Sequence, residues 1–308
     1  MKWLEVSLSV SDELAESVAE LLVRYATGGV VIEPTQIKDK AAESSPIGPV
    51  VVRAYLPVDK QIHPQKRKIE EGLWHLGQIQ PLPKPAFRVL EEKVWAHAWK
   101  AHYHPLPIGR SFLLLPSWYK VPHGDRLPLI LDPGIAFGTG LHPTTRLCLI
   151  AIEDYLQKGQ NVIDLGCGSG ILSIAAARLG ASQVLALDID SQAVQVAIDN
   201  VRRNGMAKQV LVQTGSLDYL LDKRADHGPR AHMLIANLLA QTLEEMIPQG
   251  LANVVIPGGH PILSGILDRQ TDSLINVSQQ HDLKHIETRG ENDWRTLILE
   301  VKSSAPNM

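Results

Sequence analysis

The run Val162-Ile163-Asp164-Leu165-Gly166-Cys167-Gly168-Ser169-Gly170-Ile171 constrains this chain more than any other segment: an apolar strand enters three alternate glycines and leaves them as an apolar helix. Strand, glycine turn and helix in that order open a crossover unit, and crossover units assemble into parallel sheets with helices on both faces. The spacing also narrows the ligand. Dinucleotide loops need Gly-x-Gly-x-x-Gly, yet the last place is Ile171 counted from Gly166 and Ser173 counted from Gly168, so a nicotinamide cofactor is disfavoured. Eighteen residues beyond Gly170, Leu187-Asp188-Ile189-Asp190 ends the next apolar run, where a carboxylate can accept from both hydroxyls of a ribose. A ligand with a ribose but no phosphate leaves the glycines one task, backbone approach without Cβ interference. The plainer alternative is a tight turn with a surface aspartate, against which stands the location of both features at the required strand ends.

Around this segment the pattern predicts strands at 161–165, 183–187, 210–213, 233–236, 262–264 and 296–301, with helices near 144–157, 171–179, 191–204, 239–252 and 267–280. This is a doubly wound, mostly parallel α/β sheet of Rossmann-like type. Upstream the rhythm differs. Residues 2–9 alternate as a strand, 12–26 carry Leu14, Val18, Leu21, Leu22 and Tyr25 at helical spacing, and Gly28-Gly29 leads into Val30-Val31-Ile32. Strand, helix and strand patterns recur at 50–56, 64–76 and 87–90, giving the βαββαβ order of a small ferredoxin-like α+β domain. Residues 94–104 look helical, with Trp95 and Trp99 four apart on one face. The expected division is a recognition domain over 1–90, a helical connector over 91–125 and a catalytic domain over 126–308.

Composition excludes several classes. At 308 residues the chain has room for two domains. No apolar run reaches the roughly 18 residues of a membrane span, and the alternating N-terminus shows no secretory signal. Cys148 and Cys167 are the two cysteines, and the second lies in the glycine loop, so both are expected as reduced thiols of a cytoplasmic protein with no metal site. A net charge of −3 gives no global attraction to nucleic acid.

Two further segments carry chemistry. Asp132-Pro133-Gly134-Ile135-Ala136-Phe137-Gly138-Thr139-Gly140-Leu141-His142-Pro143-Thr144-Thr145 places three glycines in seven positions before a helix opening at Pro143, whose first amides favour a carboxylate. Phe137 reads either as a cover for an adenosyl group or a sulfonium, the latter worth about 1 kcal/mol as a cation–π contact, or as a core residue of a connector. His142 reads as helix-entry packing or as a base. Ile235-Ala236-Asn237-Leu238-Leu239-Ala240 ends a strand at the sheet's carboxyl edge, where the Asn237 amide can accept from an incoming amine; the competing reading of Asn237 is a helix cap.

Taken together, Asp132 to Thr145, Val162 to Ile171, Asp188 and Asn237-Leu238-Leu239-Ala240 resemble the ribosomal protein L11 (L-eleven) methyltransferase family, with the first segment the most diagnostic. Trp95, Trp99, His104-Pro105 and Asp293-Trp294 also match the family's layout. Val94 departs from it, since relatives usually carry an acidic residue there, and the resemblance assigns no role to the loop over 35–48. The resemblance implies S-adenosylmethionine as cofactor, contacted by Thr145, Gly166, Asp188 and Asn237, with Gly168, Gly170, Phe137 and Gly138 completing the expected site. It also implies methylation of lysine side chains and the N-terminal α-amine of L11, captured by the N-terminal domain. No direct nucleic-acid readout and no membrane partner are expected.

Two rivals share part of the pattern. Nucleic-acid N-methyltransferases that act on base amines commonly show Asp/Asn-Pro-Pro-Tyr where this chain has Asn237-Leu238-Leu239-Ala240, and no basic stripe with interleaved aromatics is present. A non-catalytic S-adenosylmethionine-binding module is opposed by the complete set of cofactor positions.

Overall fold

A computed structural model describes residues 2–26, 30–34, 50–60, 62–91, 105–131, 142–225 and 230–303. The chain divides into two compact units, Met1–His104 with Asp132–Phe137, and Pro105–Leu131 with Gly138–Met308.

In the first unit, β1 (Lys2–Val10), α1 (Asp12–Val23), β2 (Val30–Pro34), β3 (Val50–Pro57), α2 (Ile62–Ile79) and β4 (Ala86–Glu91) follow the expected βαββαβ order. The strands form one antiparallel sheet in the order β2-β3-β1-β4. Alternation decides its core: Leu4, Val6, Leu8 and Val10 pair with Leu56, Ala54, Val52 and Val50, and these residues bury together with Val18 and Leu22 of α1 and Ile69 and Leu73 of α2.

The second unit holds β5 (Leu106–Ile108), β6 (Phe112–Leu115), β7 (Leu127–Ile130), α3 (Pro143–Tyr155), β8 (Asn161–Leu165), α4 (Ile171–Arg178), β9 (Gln183–Asp188), α5 (Ser191–Arg203), β10 (Val210–Thr214), α6 (Leu217–Ala225), β11 (Ala231–Asn237), α7 (Ala240–Met246), β12 (Val255–Leu267), α8 (Thr271–Gln280), β13 (Leu283–Glu291) and β14 (Trp294–Val301). Its seven-stranded sheet runs β10-β9-β8-β11-β12-β14-β13. The five strands from β8 to β12 are mutually parallel, and β14 and β13 add antiparallel at the far edge. The chain moves outward from β8 to β10 and then returns to lay β11 on the other side of β8. That reversal opens a crevice at the carboxyl ends of β8 and β11, the position where open α/β sheets bind ligands.

Several expectations need correction. The connector expected to be helical forms β5 and β6 over its described part from Pro105, and these build a three-stranded sheet with β7. The apolar runs Leu106–Ile108 and Phe112–Leu115 are short and flank Gly109, which turns at φ +53°, so they pair as a hairpin. Ile108, Phe112, Leu114 and Leu129 then bury in the core of the catalytic unit. Residues 94–104, with Val94, Trp95, Trp99 and His104, lie outside the described residues, as does the 35–48 loop. The helix expected over 239–252 ends at Met246 and gives way to a 3-10 turn over Leu251–Val254. Strand β12 is far longer than expected because Pro257-Gly258-Gly259 is absorbed as an irregularity, with Ala231 opposite Val255 and Met233 opposite His260. Strand β13 and helix α6 escape the sequence pattern: the former is a polar edge strand paired only with β14, and the latter is a nine-residue helix. Among the described residues no helix is long and apolar enough to cross a membrane.

Candidate active site

The glycine turn after β8 is held from below by backbone: the Gly166 and Cys167 N–H groups both donate to the Leu187 carbonyl, at 2.8 and 2.9 Å, and Gly170 N–H donates to the Cys167 carbonyl. Gly166, Gly168 and Gly170 have φ of +75°, +51° and +78°, a region L side chains rarely adopt. Chain packing adds a second constraint. A Cβ at Gly170 would stand 3.2 Å from the Ala197 Cβ on α5, and one at Gly166 would press into the Leu238 side chain. Two of the three glycines are thus also crowded by the protein's own neighbours, a constraint that local pattern assigned to the ligand alone.

Asp188 ends β9 half-buried, and its carboxylate ties the turn to the next helix. Oδ2 accepts from Gly168 N–H at 2.9 Å and Oδ1 from Asp190 N–H at 3.0 Å. A carboxylate offers about four acceptor positions, so both oxygens retain capacity for ribose hydroxyls. Ile189, next in the chain, is 78% exposed, an unusual place for a large aliphatic side chain at the edge of a polar site.

Below the turn lies Asp164, 1% exposed on β8. Ser173 Oγ of α4 donates to its Oδ2 at 2.5 Å, clamping strand to helix on either side of the glycines, while Oδ1 has no partner among the described residues. Burial pushes its carboxyl up to about 6, partly offset by the bonds from Ser173. The two thiols are buried and free. Burial raises both, Cys148 to about 12, so neither is a thiolate nucleophile near neutral pH.

Helix α3 does begin at Pro143, with His142 as its N-cap. Thr144 N–H donates to His142 Nδ1 at 3.3 Å and the Thr144 hydroxyl lies 2.7 Å from the same nitrogen. Accepting at Nδ1 puts the ring proton on Nε2. The imidazole packs edge-on to Trp294, centroids 4.7 Å apart, and burial, with Arg146 nearby, lowers its pKa to about 4. A group so reluctant to take a proton is a poor general base, so the geometry favours the packing alternative. The adjacent Thr145 differs from Thr144: it is 1% exposed and its Oγ1 has no partner among the described residues. A buried hydroxyl with no partner among the described residues has bonding capacity that a ligand could use. Phe137 and Gly138 lie outside the described residues.

Asn237 is the last residue of β11 and half-buried. Helix α7 starts three residues later with Leu239 as N-cap and no side-chain cap bond, so Asn237 is not the cap of that helix. Leu239 is 72% exposed.

The described residues thus bring Thr145, the glycine turn, Asp188 and Asn237 to α3 and the carboxyl ends of β8, β9 and β11. A ribose acceptor, a backbone cradle and an orphan hydroxyl fit a nucleoside bearing an amino-acid tail, and the turn lacks a dinucleotide's glycine spacing. The model of the family described as "Ribosomal protein L11 methyltransferase (PrmA)" matches residues 2–302. A protein of that name from Chloroflexus aurantiacus is 43% identical, covering 96% of this chain and 97% of its own length; one from Herpetosiphon aurantiacus is 37% identical, with 96% and 97% covered. The chain belongs to the ribosomal protein L11 methyltransferase family. It is accordingly an S-adenosylmethionine-dependent methyltransferase. The crystal structure of ribosomal protein L11 methylase from Lactobacillus delbrueckii subsp. bulgaricus superposes with a TM-score of 0.58 at 33% identity, covering 65% of this chain and all of that one.

Some of the methyltransferase's site was not legible in its sequence. Asp164 and Ser173 are nine apart and read as ordinary strand and helix positions, although an aspartate inside an apolar strand was the available signal. Ser264 Oγ and Thr296 Oγ1 lie 2.6 Å apart, and Ser264 also donates to the Thr144 carbonyl at 3.3 Å, a link between α3, β12 and β14 that no local motif announces. Farther along α3, Arg146 pairs with Glu291, Asp154 with Arg289 and Tyr155 with Glu287, riveting the helix that carries Thr145 to the β13–β14 hairpin.

Proposed function

We propose that this chain transfers methyl groups from S-adenosylmethionine to amines of ribosomal protein L11, both lysine side chains and the N-terminal α-amine, in the cytoplasm. The observation that carries the reading is that the Thr145 hydroxyl, without a partner among the described residues, the Asp188 carboxylate and Asn237 all lie on the carboxyl-end side of a methyltransferase sheet. Asp188 holds the ribose, Thr145 the amino-acid tail, and Ile189 offers an apolar face to the base. When bound, the cofactor supplies an electrophilic methyl on a sulfonium. The protein's tasks are then to align the acceptor nitrogen, methyl and sulfur and to exclude water.

The acceptor must be neutral. A lysine with a reference pKa of about 10.4 is neutral in about one molecule in 2,500 at pH 7, and an α-amine near 8 far more often. Desolvation in the crevice lowers the lysine value, Asn237 accepts from the amine and orients its lone pair, and water takes the proton, since His142 is already engaged as a cap.

The first unit carries none of these groups, and its role in this reading is to capture L11, raising the local concentration of the right amines. Radiolabelled methyl donor offered to purified L11, to intact large subunits and to rRNA separates the readings: label in L11 supports the proposal, and label in rRNA alone sinks it. A fragment beginning at Pro105, which keeps β5 and β6 with their core, is expected to bind cofactor and fail to methylate L11. Full activity in that fragment would remove recognition from the first unit.

A further inference from the structure

Leu238 sits between two glycines from different segments, one in the cofactor turn and one in β12. On one side is Gly166 of the cofactor turn, at φ +75°, where a Cβ would press into Leu238 Cδ2 and lie 3.3 Å from its Cγ. On the other is Gly265 of β12, at φ +85°, where a Cβ would overlap the Leu238 carbonyl oxygen and lie 2.8 Å from its carbonyl carbon. Gly265 falls where the register of β12 against β14 shifts, between Leu263 and Ile266, so a bulge turns the strand to let the Leu238 backbone pass. Leu238 N–H also donates to the Ser264 carbonyl at 3.1 Å. Its side chain is therefore seated by one glycine and its backbone by another, with a hydrogen bond fixing the height.

We propose that Leu238 is a positioning residue that locks the amine-orienting loop after β11 to the cofactor turn after β8, so that acceptor and methyl donor are held in register. The proposal rests on the reading of Asn237 as the group that meets the amine. Asn237 precedes Leu238 directly, so any movement of the seat moves the carboxamide. Seating Leu238 inward also turns Leu239 outward, consistent with its exposure. A misplacement of about 1 Å between reacting groups is enough to cost about a hundredfold in rate. The Leu238 atoms nearest the Gly166 position are those of its side chain, so shortening that side chain loosens the acceptor loop while Asp188 and Thr145 keep their places.

The test compares Leu238→Ala, Leu238→Met and Asn237→Ala, with S-adenosylhomocysteine affinity measured by calorimetry and kcat measured on L11 at saturating cofactor. Leu238→Ala is expected to lower kcat tenfold to a hundredfold while the Kd for S-adenosylhomocysteine changes less than about threefold, and Leu238→Met, which refills the seat, is expected to recover most of the rate. A residue that merely fills space would lower Tm and leave kcat of the folded enzyme alone. A kcat within twofold of the parent in Leu238→Ala overturns the proposal, and so does a loss of rate matched by an equal loss of cofactor affinity. If Leu238→Ala fails to fold, Leu238→Val decides by the same two readouts. Full activity in Asn237→Ala would retire Asn237 as the amine's partner, while the Leu238 variants would still decide whether the two loops are coupled.

Discussion

The two faces of the seven-stranded sheet are built from the same strands and differ sharply in what they bury. The face toward α6, α7 and α8 receives Ile163 and Leu165 from β8, Leu187 from β9, Leu234 and Ala236 from β11, Leu263 from β12, and Leu297 and Leu299 from β14, all aliphatic. The opposite face, under α3 and α4, also buries aliphatics such as Val162, Val184, Met233, Ile262 and Ile298, but the same parity reaches Asp164, Asp188, Asn237, Ser264 and Thr296 at or near the site. One face does only what burial requires. The other accepts buried polar groups, each costing stability unless hydrogen-bonded, and leaves Asp164 Oδ1 and Thr145 Oγ1 without partners among the described residues. Among the strand residues of this sheet, the buried polar groups Asp164, Ser264 and Thr296 gather at one end of one face, where a polar ligand can meet them.

Four predictions test that contrast, beginning with the largest effect. Gly166→Val puts a β-branched side chain at positive φ and against Leu238, a strain of about 3 kcal/mol or more; cofactor affinity should fall by more than a hundredfold in calorimetry, and normal affinity would show that the turn does not carry the site. On the aliphatic face, Leu263→Ala should cost about 2 to 5 kcal/mol of stability through the cavity it leaves and keep the Kd of the folded enzyme unchanged. Cofactor binding lost in step with Tm at a controlled temperature would erase the division between the faces. On the polar face, Asp188→Ala should show the converse, weakening cofactor binding by about 1.5 to 3 kcal/mol, ten- to a hundredfold, from lost charged-acceptor bonds. An unchanged dissociation constant in the folded variant would remove Asp188 from the site.

The subtlest prediction concerns pH. His142 has a folded pKa of about 4 against 6.5 when unfolded, so the unfolded chain binds the extra proton between those values and stability falls as pH drops through that window. Asp164 has a folded pKa of about 6 against 3.8, so there the folded chain holds the extra proton and stability falls as pH rises from about 4 to 6. The two slopes oppose each other, each worth up to about 3 kcal/mol. Melting curves should therefore show a stronger loss of stability toward acid in Asp164→Asn than in the parent, and a reversed slope in His142→Asn, which keeps a cap acceptor. Parallel profiles for all three proteins would show that neither group titrates as its burial demands.

What was legible in the sequence was whatever depends on neighbours along the chain. Periodicity marked β8, β9, β11 and their helices; the glycine spacing disfavoured a dinucleotide; strand ends located Asp188 and Asn237. Local pattern failed where the decisive partner is distant. The part of the connector from Pro105 onward forms β5 and β6 because a hairpin there buries Ile108 and Phe112 in the catalytic core, and the polar strand β13 exists because β14 offers it an edge. His142 and Asn237 each carried two local readings that local pattern left open; the fold adds a cap bond to Thr144 and a ring edge on Trp294 for the first, and puts Leu239 rather than Asn237 at the N-cap of the following helix for the second. The reason for Gly166 also changed, from ligand approach alone to the seat of Leu238, a residue 72 positions away in the chain. A sequence specifies the conformational preferences of each segment, because those are set by atoms a few bonds apart. Which buried groups end up matched, pinned or left open for a ligand is decided by packing between segments, and only the tertiary structure contains it.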